Sequence, residues 1–303
     1  MGVGLIWKPK GIPSQKYLGE IKKTLNMKTK GRKGIGHSGT LDPFATGLLL
    51  IGWNAGTKLI HSFEGFDKSY EAEIILGATS SSLDTESDYE FASEETLQKL
   101  KAIHEDQLIE FLKSKIGSFE QQVPLMSAIH VAGKRAYEWG RSGEEPPVEM
   151  PTRQFFIRRN RHLSLKKVTI EGRELLSWKV FMELSKGSYV RSIARDWAQE
   201  LIAFPGMLEN LTRTSVGPYT EREPFEGIKN FQLMNLAECG AEITPLSNEE
   251  EQRLMKSGLW KLKPENARKN KYLINSQGAV LAFWSGNDQK LKKVFPKDPL
   301  SLS

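Results

Sequence analysis

The sequence predicts an α+β fold, with a large first domain over residues 1–243 and a small second one over 244–303. Strand-like and helix-like stretches follow one another without the regular alternation that builds a doubly wound parallel sheet. The 303-residue chain is about twice the usual single-domain length. Its hydrophobic residues, 39% of the total, are spread along that length, enough to bury a real core. After about Glu242 the pattern changes to one helix and a few short strands, which sets the boundary.

Residues 4–8 read as a short strand, and Pro9 to Pro13 as a turn. Ser14 is placed to cap a helix running to about Lys28, with Tyr17, Leu18, Ile21 and Leu25 on one face. Residues 31–42 are Gly-rich and polar, a loop, whereas 45–53 is a buried segment that periodicity assigns to neither helix nor strand. Residues 69–76 alternate as a strand, with Tyr70, Ala72, Ile74 and Leu76 on one face. Ser93 caps a helix with Leu97 and Leu100 inward, and a second helix spans about 106–116. Residues 126–150, rich in Gly and Pro, suggest an ordered but exposed loop. Strands follow at 155–165 and 176–184, then a helix at 190–201 after the turn at Gly187. In the tail, 248–257 is helical, with short strands at 272–274 and 279–284 around a turn at 276–278.

The net charge of +6 is modest but clustered. Lys22, Lys23, Lys28, Lys30, Arg32 and Lys33 form one group, and Arg153, Arg158, Arg159, Arg161, Lys166 and Lys167 another. Such groups suit a phosphate backbone, and equally a solvated face. The single cysteine, Cys239, excludes an intrachain disulfide, and no Cys/His cluster has metal spacing. The N-terminus lacks a signal-peptide pattern, and no apolar run approaches the roughly 20 residues that span a bilayer. These features point to a soluble protein of a reducing, cytoplasmic compartment.

The segment with most chemical content is Gly36-His37-Ser38-Gly39-Thr40-Leu41-Asp42-Pro43-Phe44-Ala45-Thr46-Gly47. It presents an imidazole and a carboxylate from one short glycine-flanked loop, and Pro43 holds Asp42 out of a helix. Asp-Pro is also a common turn dipeptide, so on these residues alone an ordinary turn-forming Asp42 stands beside a chemical one.

This stretch resembles the catalytic loop of the TruB family of tRNA pseudouridine synthases, G-H-T-G-T/A-L-D-P-x-A-T-G, with Ser38 for Thr as its departure. Lys8-Pro9-Lys10-Gly11 is similar to the family's K-P-x-G, Thr57-Lys58-Leu59 to its T-K-hydrophobic, and Lys68-Ser69-Tyr70 with Leu76-Gly77 to its K-x-Y and L-G. Pro124 to Ala128 with Gly133 to Tyr137 resembles P-x-x-S-A-x-x-x-x-G-x-x-x-Y. Ser185-Lys186-Gly187-Ser188-Tyr189-Val190-Arg191 looks like S-K-G-T-Y-I-R. Order and approximate spacing agree from residue 5 to about 220.

The resemblance implies a mixed, largely antiparallel central sheet with flanking helices, the pseudouridine synthase fold, and a small PUA-like C-terminal domain. It implies isomerisation of uridine 55 in the T arm of tRNA; no cofactor or metal is expected, and a monomer is expected without a motif that fixes it. Asp42 would be the catalytic carboxylate, Arg191 the cation that keeps it ionised in a closed pocket, and Tyr189 a hydrogen-bonding or proton-relaying group. Tyr70 would stack on the flipped base and His37 fill the space the nucleotide leaves. Leu211 and Arg213 resemble the pocket edge L-R-R-L, though Thr212 and Thr214 depart from it. Lys58 and Lys8 would bind phosphate or brace loops. Asp84 stands where the family has the second aspartate of T-D-T-x-D, with Ser81 in place of the first. Residues 126–150 would close over the RNA or simply form a long hairpin, and Lys261, Lys263, Arg268, Lys269 and Lys271 would touch its acceptor side or equally be solvated charge. A tRNA-folding chaperone with little or no catalysis is the alternative, and a guide-RNA-dependent relative a further one.

Overall fold

The computed structural model describes residues 2–24, 34–230, 242–257, 271–274, 280–285 and 289–293. The expectations for Leu25, Lys28, Lys30, Arg32, Lys33, Cys239, Lys261, Lys263, Arg268, Lys269 and the turn at 276–278 lie outside the described residues. The chain divides into two compact units, one of residues 1–43, 47–66 and 215–303, the other of 44–46 and 67–214.

The first unit opens with β1 (Gly2–Lys8), α1 (Ser14–Thr24), β2 (Ile35–His37) and β3 (Thr46–Trp53), then a 3-10 turn at Asn54–Leu59 and the short α2 (Ile60–Phe63). β1 runs antiparallel to β3, from Gly2 opposite Trp53 to Lys8 opposite Gly47, and β2 also pairs with β3. The ambiguous apolar segment is therefore a strand. Its side chains sort with period two: Leu48 and Leu50 pack with Val3, Leu5 and Trp7, while Leu49 and Ile51 pack with Ile6, Ile35 and the α1 residues Leu18 and Ile21. Both faces are covered, so the sequence shows a continuous apolar run instead of alternation.

The second unit contains β4 (Lys68–Leu76), β5 (Ala78–Ser80), β6 (Tyr89–Phe91), α3 (Glu94–Leu100), α4 (Glu105–Lys113) and β7 (Gly117–Gln122). Next come β8 (His130–Val131), β9 (Lys134–Arg135), α5 (Ala136–Ser142), β10 (Thr152–Ile170), β11 (Arg173–Leu184), α6 (Val190–Ile202) and β12 (Met207–Val216). Its strands lie in the order β12-β4-β11-β10-β7. The Ser93 side chain accepts the Thr96 N–H and caps α3, as expected.

Residues 126–150 hold more regular structure than a loop. Ala132 (φ 48°) and Gly133 (φ 85°) both take positive φ and turn β8 into β9. The Trp139 indole then donates to the Val131 carbonyl at 3.1 Å, seating α5 on that hairpin. The rings of Phe111, Trp178 and Trp197 lie with centroids 5.7–6.1 Å apart and tie α4, β11 and α6 together.

The first unit resumes with β13 (Tyr219–Thr220), β14 (Lys229–Asn230), β15 (Glu242–Pro245), α7 (Asn248–Ser257), β16 (Lys271–Ile274), β17 (Val280–Ser285) and β18 (Lys290–Lys293). The last four strands form a sheet in chain order, parallel only between β15 and β16. Leu273, Leu281 and Ala282 pack with Leu246 and with Leu254 of α7. Tyr272 and Phe283 instead join the core of Val3, Leu5 and Trp7, so this sheet shares its packing with the N-terminal strands. The architecture is α+β, with a large, largely antiparallel sheet, flanking helices and a small C-terminal sheet. Among the described residues no helix is long and apolar enough to cross a membrane.

Gly77, the glycine of the Leu76-Gly77 pair, sits at φ +101°, and a Cβ there would stand 2.7 Å from Leu100 and 3.0 Å from Leu175. Gly77→Ala should cost about 1–3 kcal/mol from strained backbone. Urea denaturation with an unchanged midpoint would contradict this.

Candidate active site

In the first unit, the loop bearing Asp42 is fastened on both sides of that residue. The Ser14 hydroxyl donates to the Leu41 carbonyl at 2.8 Å and accepts the Leu41 N–H at 2.9 Å. Ser14 was expected to cap its helix; its hydroxyl is committed to the loop 27 residues onward. On the other side, the Pro43 carbonyl accepts the Gly11 N–H at 2.7 Å and the Lys8 ammonium at 3.2 Å. Lys8 is 0% exposed, and its ammonium also donates to the carbonyls of Pro9 and Ile12 at 2.7 and 2.9 Å. Its position is that of a brace.

Asp42 itself is half-buried. Pro43 favours extended backbone at Asp42, so the carboxylate projects from a fixed turn and not from a helix. His37 ends β2, opposite Ile51, and its Nδ1 accepts the Gly39 N–H at 3.4 Å. Lys58 lies in the 3-10 turn, and its side chain is outside the described residues.

In the second unit, the turn before α6 builds the other cluster. Ser185 clamps it to β10: its N–H donates to the Phe156 carbonyl at 2.9 Å and its hydroxyl accepts the Phe156 N–H at 2.8 Å. Gly187, at φ +84° with open space around it, supplies the left-handed step. The Ser188 hydroxyl closes the turn on the Ser185 carbonyl at 2.8 Å. Tyr189 is the residue before the helix, half-buried, and its N–H donates to Gln121 Oε1 at 3.1 Å.

Arg191, only 4% exposed, donates from Nη1 to the Ser82 carbonyl at 2.9 Å and from Nη2 to the Met126 carbonyl at 2.8 Å. Its Nε lies 3.7 Å from Asp84 Oδ2. Asp84 is in turn held by the Ser82 hydroxyl at 2.6 Å and the Glu86 N–H at 3.0 Å. A guanidinium keeps its charge in such a buried place and its planar fork fits several oxygens. Asp84, matched in the sequence only to the second aspartate of T-D-T-x-D, pairs with Arg191; the Ser80-Ser81-Ser82 run before it, two of whose hydroxyls serve it, was the available signal.

Tyr70 is buried on β4 opposite Met182, with Ala72, Ile74 and Leu76 likewise buried along the strand. Leu211 and Arg213, two apart on β12, are both buried. Of the second basic group, all on β10, Arg158 pairs with Asp67 at 2.9 Å, Arg159 with Glu183 at 2.7 Å and Lys167 with Glu174 at 3.1 Å. The charge that group offers a phosphate backbone is thus smaller than a residue count implies.

Residues 22–190 match the sequence model of the TruB family pseudouridylate synthase N-terminal domain, more than half of the chain. The chain belongs to the TruB family. It is therefore an enzyme, a pseudouridine synthase. A tRNA pseudouridine synthase B of Corynebacterium diphtheriae is 31% identical to it, over 99% of this chain and 97% of that protein. That of Acholeplasma laidlawii is 36% identical over 73% of this chain and 71% of its own. Among solved structures, an H/ACA RNP bound to a substrate RNA containing 2′-deoxyuridine aligns with a TM-score of 0.60 at 16% identity, covering 99% of this chain and 84% of that one. A Cbf5-Nop10-Gar1 complex aligns at 0.59 and 19%, covering 98% and 84%. At such identities the likeness shows the TruB-type fold.

Ser14→Ala removes both bonds to Leu41 and leaves the hold at Pro43 in place. Pseudouridine formation should slow by about tenfold, since small misplacements of a reacting group carry large rate costs. RNA affinity should stay within twofold of the unmodified protein. An unaltered rate in single-turnover assays would show that the loop needs no such fastening.

Proposed function

We propose that this enzyme isomerises uridine 55 in the T arm of tRNA to pseudouridine, with Asp42 as the catalytic carboxylate. The observation that carries the reading is the fastening of the Asp42 loop at Leu41 and Pro43, which presents one carboxylate from a backbone with little freedom. That chemistry requires a held carboxylate. The bond between C1′ and N1 breaks, the base turns, and a bond forms between C1′ and C5; the proton lost from C5 is balanced by one gained at N1. The carboxylate starts the sequence by attacking the sugar or by taking a proton from it, and both routes need it ionised. Arg191 is the cation assigned to keep it so.

In this reading Tyr70 stacks on the extruded base, Tyr189 hydrogen-bonds near C5, and His37 occupies the space the nucleotide leaves. Leu211 and Arg213 border the base, and Lys8 holds the loop, its ammonium being engaged by carbonyls. Lys58 binds phosphate or braces its own turn. Residues 1–243 form the catalytic part, and 244–303 a PUA-like part that assists RNA binding. The enzyme works as a cytoplasmic monomer without cofactor or metal.

The test is incubation of unmodified tRNA transcript with the purified protein, followed by chemical mapping of pseudouridine, with Asp42→Asn in parallel. The variant should lose activity by about a thousandfold, within the range of a removed acid–base group. Equal modification by both proteins would remove Asp42 from the mechanism. Transcript that is bound and refolded but never modified by the unaltered protein would favour an RNA chaperone.

Tyr70→Leu keeps an apolar side chain on β4 but removes the ring. Turnover should fall more than tRNA affinity, as judged by single-turnover rates beside filter binding. A normal rate would place the base elsewhere.

A further inference from the structure

Beside the turn before α6 lies a polar group that the reaction as proposed does not use. Gln121, the residue before the last of β7, is 2% exposed. Its carboxamide is oriented by Tyr189: a backbone N–H can only donate, so the limb 3.1 Å away is the oxygen. The other limb, Nε2, is buried and has no hydrogen-bond partner among the described residues. A buried amide donor left unsatisfied carries its full desolvation penalty.

The strand carrying it is not free to turn the group elsewhere. The Ser192 hydroxyl holds the Gln122 carbonyl at 2.8 Å, and β7 pairs with β10 through Gln121 opposite Arg153. An amide whose oxygen is pinned to the backbone of Tyr189 holds its two N–H donors in the immediate neighbourhood of that residue.

We infer that Gln121 Nε2 is a substrate contact, donating to a carbonyl oxygen of the flipped uracil and selecting uridine over cytidine. The inference rests on the proposed role of Tyr189 beside the base. Uracil offers two carbonyls, O2 and O4, placed symmetrically about the line through N3 and C6. The isomerisation turns the base about that line and exchanges them. A donor facing one carbonyl before the turn therefore faces the other after it, and stays satisfied through both states. Cytosine has an amino group in place of O4 and would set donor against donor, an arrangement that binding sites reject strongly.

The decisive comparison is Gln121→Glu, which retains an oxygen for the Tyr189 N–H and replaces the free donor by an acceptor. Single-turnover rates are measured on tRNA transcripts carrying uridine, 2-thiouridine or 4-thiouridine at the target position, sulfur being the weaker acceptor. The unaltered protein should slow by about tenfold on at least one thio substrate, the size of one hydrogen bond. Gln121→Glu, compared in protein whose far-UV circular dichroism matches that of the unaltered chain, should slow by at least that much on uridine and lose nothing further on the thio substrate. A group that only positions Tyr189 would leave Gln121→Glu at the normal rate, and that result overturns the inference. So does an unaltered protein that tolerates both thio substrates, a measurement that needs no variant to fold. Failure of the unaltered protein to modify uridine at all would instead reject the proposed function, which separates the two.

Discussion

The arrangement around Asp42 depends on one buried charge. An ammonium with no exposure to water must keep its donors occupied, because nothing else offsets the lost hydration. Lys8 does so with three backbone carbonyls, two from the turn that follows it and one from Pro43. The charge therefore joins the end of β1 to the loop 35 residues later, directly beside the aspartate. Ser14, from the first turn of α1, fixes the opposite side. The aspartate is thereby carried on a backbone held at both of its chain neighbours.

Arg191 solves the same problem in the second unit. Its buried guanidinium is matched by carbonyls from two separate loops, at Ser82 and Met126, and by the carboxylate of Asp84. Each partner belongs to irregular backbone, so the cation works as a rivet that orders segments lacking secondary structure of their own. Ser80 and Ser82 extend the network by bonding to Asp84.

Much of this was legible before any coordinates. The α+β class, the strands at 69–76, 155–165 and 176–184, the Ser93 cap and the α6 helix all follow from periodicity and capping chemistry, which are local. The motif resemblance located the Asp42 loop and the turn before Arg191. Less legible was the segment at 45–53: its run of apolar residues is compatible with either regular structure until β1 supplies a partner. The loop expected at 126–150 proved to contain a hairpin and a helix, because two successive positive φ values at Ala132 and Gly133 act where glycine count alone suggested irregularity. Ser14 was read as a cap from its position in the chain, and only the distant Leu41 revealed its other use.

Sequence by itself determined which residues can carry charge, which must be buried, and where the backbone turns, since these are properties of single residues and their near neighbours. Tertiary structure alone decided the partners: Lys8 with Pro43, Arg191 with Asp84 and Met126, Gln121 with Tyr189. The reason is physical. A hydrogen bond is satisfied by whatever lies about 3 Å away in space, and separation along the chain carries no information about that distance.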